Sequence, residues 1–274
     1  MSRALLIGSE IAHSFRVNTR NATTAPVAER ILAIAGAARD VPGGIRHDLE
    51  LVHEDERVPA ILTFPQGSTP VPAVLMLHGL GSTKERMAET VGAALVQRGV
   101  AALAVDLPMH GAREGGGELR RGDALALLRM WKTAIAEARV ALEYLRAHQQ
   151  VSRRLGIVGY SLGSFIGNVV ASSNREVQAI VLAASGDLPA GLPFETLVRS
   201  VLDPLRAVKH TGTRPLLMIN GRYDRTVTPA QAERLFAAAL EPKTMRWYGG
   251  GHWPPPSEID FAAGWLADQL LARN

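Results

Sequence analysis

The sequence predicts an α/β fold: a mostly parallel sheet of eight strands with helices on both faces, opened by an antiparallel hairpin. Three observations predict it. From residue 71 onward, short β-rich apolar runs alternate with helical stretches, the pattern of strands joined by crossover helices. Runs such as "VPAVLMLHG" (71–79) and "VAALAVD" (100–106) are almost continuously apolar, as strands buried on both faces are. Upstream, "HDLELVHE" (47–54) alternates polar and apolar residues. It is followed by the turn letters Asp55 and Glu56 and then by "VPAILTF" (58–64), which reads as a hairpin with an irregular turn.

The elements follow in order. After the strand at 71–79, a helix is expected over 84–98, stopped by Gly99. The strand at 100–106 leads into the loop "LPMHGAREGGGELRRG" and a long helix over 123–148. "LGIVGYS" is a strand, "LGSFIGNVVASS" a helix and "AIVLAAS" (179–185) a strand. Residues 194–209 read as helical, "PLLMING" (215–221) as a strand, and "PAQAERLFAAAL" as a helix with Pro229 in its first turn and Thr228 as its N-cap. "TMRWYGG" is the last strand, and a final helix covers 257–271. The first 44 residues stand outside this scheme. Within "PVAERILAIAGAAR" (26–39), Val27, Ile31, Ile34 and Ala38 fall at helical spacing, so residues 1–44 are expected to form a helical extension packed on the core.

A chain of 274 residues suits one large domain, and residues 1–274 are read as one. No apolar run approaches the roughly 18 residues of a membrane span. The N-terminal "ALLIG" is cut short by Ser9 and Glu10, too soon for a secretory signal, so a cytoplasmic location and no membrane association are expected. There is no cysteine, which excludes disulfides, thiolate metal sites and a cysteine nucleophile. The net charge is +4, and 26 of the 30 basic residues are Arg, but they are scattered with no aromatic-studded basic stripe; nucleic acid is not an expected partner.

In an open α/β sheet the site lies outside the carboxyl ends of the strands. Three strand ends carry reactive groups. "GYSLG" (159–163) sets Ser161 between two glycines on a strand-to-helix turn, where small neighbours are needed and the following helix dipole favours an anion. A serine hydroxyl needs a base. Of eight histidines, His252 alone follows the last strand on a glycine-rich approach, "GGGHW". The base needs an acid to hold its tautomer. Asp224, in "GRYDRTVTP", is preferred; Asp187, after the preceding strand, is the rival. The backbone N–H groups of Leu162 and Leu80 are the expected oxyanion donors, the latter freed by Gly79 and Gly81. Met109, Arg113 and Glu114 on the loop after Asp106, with Tyr160 beside the serine, are the expected substrate contacts. His78 and His110 lack an i+4 partner on a helix, so no metal is expected.

The segments "LHGLGSTKE", "DLPMHGAR", "GYSLG", "GRYDRTVTP" and "GGGHW", in this order from about residue 45 to the C-terminus, resemble the α/β-hydrolases. "HGLGSTKE" and "DLPMHGAR" are most similar to the dienelactone-hydrolase-like and prolyl-oligopeptidase-like esterases. That resemblance implies a Ser-Asp-His triad, a backbone oxyanion hole and no cofactor. The chain departs from dienelactone hydrolases proper in lacking cysteine, from dehalogenases in carrying Ser161 where they carry aspartate, and from oligopeptidases in lacking room for a propeller.

The resulting expectation is a serine carboxylesterase acting on small esters. Residues 186–214 are too few for a large lid, so short acyl chains are expected. Thioesterase or small peptidase/amidase activity is the alternative within the enzymes, and a non-catalytic ligand-binding homologue the alternative outside them. A homodimer is left open.

Overall fold

The computed structural model describes residues 32–53, 56–67, 70–113, 124–191 and 195–272. Its centre is a nine-stranded sheet in the order β1-β2-β3-β5-β4-β6-β7-β8-β9. The strands are β1 (Leu32–Val41), β2 (Gly44–His53), β3 (Glu56–Pro65), β4 (Val71–Leu77), β5 (Ala101–Val105), β6 (Val151–Tyr160), β7 (Val177–Ala183), β8 (Leu216–Gly221) and β9 (Lys243–Tyr248). β1, β2 and β3 are antiparallel, as is β3 to β5; every pair from β5 to β9 is parallel. The eight expected strands are all present, as β2 to β9.

The ninth strand corrects the reading of the N-terminus. Residues 32–41 form β1, an antiparallel edge strand paired to β2 from Leu32↔Val52 to Val41↔Gly44, and not the end of a helix. The helical spacing of Ile34 and Ala38 misleads because neither buries a helical face: residues 34–40 are all exposed, and Ile34 is 41% exposed. Pairing to β2 decides the conformation. Residues 1–31, including Val27 and Ile31, lie outside the described residues.

The helices sort onto two faces by the period-2 alternation of the strands. On one face Leu75, Leu103, Ile157, Ile180 and Met218 pack against α3 (Ala124–Ala147), α4 (Leu162–Ser173) and α7 (Pro229–Ala238). On the other, their neighbours Val74, Met76, Ala102, Val158, Val181 and Leu217 pack against α8 (Pro256–Leu271) and an irregular helix over residues 84–96. That helix is α1 (Lys84–Met87), a π turn (Ala88–Gly92) and α2 (Ala93–Val96). The long run expected over 194–209 is instead two short helices, α5 (Glu195–Val201) and α6 (Pro204–Lys209). Pro204 cannot continue the helix before it, and Asp203 caps the second by accepting from the Arg206 N–H. Thr228 and Gln231 form a capping box at α7.

Register brings the parallel strand ends into line. Leu77 stands opposite both Val105 and Gly159, Tyr160 opposite Ala183, and Ala183 opposite Ile219. The segments leaving β4, β5, β6, β7, β8 and β9 therefore emerge along one rim, and the candidate residues lie on it. No described helix is long and apolar enough to cross a membrane.

Candidate active site

Ser161 is the single residue between β6 and α4, and its backbone is held at φ 48°, ψ −115°. A non-glycine residue in this region is strained, and the surroundings hold it there. Its N–H donates to the Ala183 carbonyl at 2.9 Å, and its carbonyl accepts from Ser164 N–H at 2.8 Å. The two flanking glycines have a packing reason. A Cβ on Gly159 would lie 2.3 Å from the Gly163 carbonyl oxygen, and one on Gly163 only 2.1 Å from that of Leu77. Gly163→Ala is therefore expected to cost about 1–3 kcal/mol through overpacking against backbone. A urea unfolding midpoint equal to that of the parent would contradict the tight contact.

The hydroxyl of Ser161 meets His252. Its Oγ is 2.8 Å from His252 Nε2, and His252 Nδ1 is 2.7 Å from Asp224 Oδ2. A carboxylate only accepts, so Nδ1 carries the proton and Nε2 is left to accept from the serine. Asp224 is fixed in turn: its Oδ1 accepts from Thr226 N–H at 2.8 Å and Val227 N–H at 3.0 Å, and its side chain is fully buried. The glycine-rich approach to His252 is held by tyrosines. Tyr248 donates to the Gly251 carbonyl at 2.8 Å, and Tyr160 to that of His252 at 3.1 Å.

The rival acid is occupied elsewhere. Asp187 accepts from Arg199 and from Arg234, each at 3.1 Å, tying α5 and α7 to the end of β7. It makes no bond to His252.

Leu80 and Leu162 stand on the two loops beside the serine. Leu80 lies in a turn closed by Ser82 N–H donating to the Gly79 carbonyl at 3.1 Å. That turn lies against Ser161: a Cβ on Gly79 would be 3.3 Å from the serine Cβ. Leu162 opens α4, where first-turn N–H groups have no partner within the helix.

Known proteins agree with this architecture. A family described as serine aminopeptidase, S33, matches residues 68–206. The chain belongs to this α/β-hydrolase family. No curated protein matches it significantly in sequence. Among solved structures, a cold-adapted esterase from an Arctic intertidal metagenomic library superposes with a TM-score of 0.67 at 24% identity, covering 86% of this chain and 98% of that one. Acetyl xylan esterase 1 from Thermoanaerobacterium sp. JW/SL YS485 gives 0.69 at 16% identity, covering 89% and 91%. Est1E from Butyrivibrio proteoclasticus gives 0.64 at 16%, covering 82% and 99%. At these identities the likeness is one of fold.

In this α/β-hydrolase the sequence reading missed the residues that brace the turn beside Ser161. His78, fully buried, accepts from Leu107 N–H at Nε2 (3.0 Å), so Nδ1 carries the proton and donates to the Gly79 carbonyl at 2.8 Å. It is a strap from β5's exit to the Gly79 turn. Asp106, also fully buried, accepts from Lys84 N–H (2.8 Å), Lys84 Nζ (2.7 Å) and Ala112 N–H (2.9 Å), and a Cβ on Gly111 would strike its carboxylate at 2.2 Å. The strand-end rule that found Ser161 also pointed at Asp106, the residue directly after β5.

Burial pushes the His78 imidazole down to about 4. Its folded pKa lies below the ordinary value of 6.5, so the unfolded chain takes up a proton there that the folded chain refuses. The stability is full above pH 6.5 and falls as the pH drops from 6.5 towards 4, by about 3 kcal/mol in all. Urea titrations at pH 7, 5.5 and 4.5 should show a smaller acid loss for His78→Gln than for the parent. Equal losses would mean that His78 is not held neutral.

The expected substrate contacts divide. Met109 (φ 66°) packs with Leu162 and Phe165 in an apolar cluster with Trp131, Val198 and Leu202, beside the serine turn. Arg113 turns elsewhere: its guanidinium donates to Glu137 at 2.7 Å and Glu56 at 3.4 Å, fastening the loop to α3 and β3. Burial pushes the Glu137 carboxyl up to about 7 against the pull of Arg113. Tyr160 faces the α8 side and stacks on Trp253 at 5.0 Å, with its phenol raised by burial. Glu114 lies outside the described residues.

Proposed function

We propose that the chain is a serine carboxylesterase for short-chain esters. One observation carries this reading: Ser161 Oγ, His252 and the buried Asp224 form a continuous hydrogen-bonded relay on the strand-end rim. Ser161 Oγ attacks the ester carbonyl carbon as its proton passes to His252 Nε2. The new imidazolium keeps its Nδ1–H on Asp224, which orients it and offsets its charge. The tetrahedral oxyanion is received by the amides of Leu80 and Leu162. His252 returns the proton to the leaving alkoxide as the C–O bond breaks, leaving an acyl-Ser161. Water, deprotonated by His252, then releases the acid and restores the serine. No cofactor enters the scheme.

Two features support a small acyl group. Between β7 and β8 the described residues include only the two short helices α5 and α6, too little for a separate cap. The apolar cluster of Met109, Phe165, Trp131, Val198 and Leu202 packs against Leu162 at the start of α4. Hydrolysis of p-nitrophenyl acetate, butyrate and decanoate is the test. The short esters are expected to turn over and decanoate poorly; a preference for decanoate would overturn the short-chain reading. The family's description favours a second reading, cleavage of small aminoacyl amides by the same relay. Aminoacyl arylamides in the same assay decide between the two, since turnover of arylamides without esters would replace the first by the second.

A further inference from the structure

We propose that a cavity behind Tyr160 and Trp253 is a separate binding site for a short-chain carboxylate. It lies between the irregular helix over 84–96 and α8. Its floor is Val181 and Ala183 of β7 and Ile219 of β8, and its walls include Val91 and Ala262. Ser161 and His252 do not line it. A packing defect would be closed and apolar throughout. This cavity reaches the surface, since its lining includes Trp253, 57% exposed, and the exposed Arg86.

Charge selects the ligand. Glu258, the other charged residue lining the cavity, is held by two of the guanidinium nitrogens of Arg246, and Glu85 is held by Lys84. Arg86 makes no ion pair among the described residues; its guanidinium lies 6.0 Å from the centre of the Trp253 ring. A guanidinium binds a carboxylate bidentately, and an apolar floor rejects anything polar beneath the head group. The complementary molecule is a short alkyl chain ending in a carboxylate, its tail on Val181 and Ile219 and its head on Arg86. Binding would register near the relay. Trp253 stacks on Tyr160 at 5.0 Å with rings 28° apart, and Tyr160 holds the His252 carbonyl.

Calorimetric titration of the whole protein with butyrate, hexanoate and hexanamide tests this. Hexanoate is expected to saturate one site, about tenfold tighter than butyrate for its two extra methylenes and severalfold tighter than hexanamide. Arg86→Gln, an exposed substitution, should erase the preference for acid over amide and leave hexanamide binding unchanged. In crystals soaked with 6-bromohexanoate, the bromine should lie between Val181 and Ala262. Absence of saturable hexanoate binding, a bromine beside Ser161 instead, or an acid preference that survives Arg86→Gln would each overturn the proposal.

Discussion

Ser161→Ala is expected to lower kcat for short esters by about 10⁵–10⁶-fold and to leave KM within a few fold. In the proposed mechanism Ser161 Oγ is the atom that forms the covalent bond, so nothing else in the relay substitutes for it. His252→Ala should lose about as much, because an alcohol without a base at 2.8 Å is a poor nucleophile at neutral pH. The double variant should be no worse than either single one, since the two act as one unit. Asp224→Asn is expected to fall by about 10⁴-fold: the amide can donate where the carboxylate accepted, and the imidazole is then held in the wrong tautomer. Asp187→Asn should instead leave kcat nearly intact, since Asp187 serves Arg199 and Arg234. Steady-state kinetics on p-nitrophenyl butyrate checks the set. Additive losses in the double variant would contradict a shared proton relay.

The largest stability effect is expected at Asp106. Its carboxylate is fully buried, accepts three N–H donors and faces the ammonium of Lys84, which is itself almost buried. Asp106→Ala leaves two backbone N–H groups without their acceptor and the ammonium with Glu85 alone, at a cost of about 3–5 kcal/mol. For a domain of this size the melting temperature should fall by roughly 10 °C. The pair is expected to behave asymmetrically: Lys84→Met with Asp106→Leu together should recover the part of the loss due to the unbalanced charge, because a buried ion pair replaced by apolar groups is often near neutral, and leave the part due to the Lys84 and Ala112 N–H groups. Burial pulls the Lys84 ammonium down, but its bonds to Asp106 and Glu85 outweigh this and leave its pKa raised. The stability it contributes is thus complete below about pH 10.5 and is lost only as the pH rises past that. Calorimetric melts of the single and double variants check the account. A melting point for Asp106→Ala within 2 °C of the parent, on the order of the effect of 1 kcal/mol, would show that the carboxylate does not brace the loop.

Much of the site was legible because its chemistry is tied to strand ends, and buried parallel strands announce themselves by continuous apolar runs. Ser161 follows such a run directly, Asp224 stands three residues past the end of β8 and His252 four past the end of β9, and the glycines around Ser161 mark a backbone contact that a Cβ would break. The bracing was less legible. With a metal set aside, His78 has no role legible in the sequence, because its partners, Leu107 N–H and the Gly79 carbonyl, are backbone groups that leave no letter there. Arg113 looked like a substrate contact from loop position alone, while its partner Glu137 is buried on a helix 24 residues away. At the N-terminus, Ala-rich "LAIAGAARDV" carries helical spacing by composition, and only its pairing with β2 reveals the edge strand. Pro204 did announce the break between α5 and α6, by a rule that outranks helical periodicity.

The most direct test of the central claim is to find the atom that becomes covalently modified. Incubation with a p-nitrophenyl alkylphosphonate, digestion and peptide mass spectrometry would locate the adduct. One phosphonyl group per chain on the peptide containing Ser161, with labelling abolished in Ser161→Ala and slowed in His252→Ala, is the expected result. Adduct on another residue, or equal labelling of Ser161→Ala, would contradict Ser161 as the nucleophile.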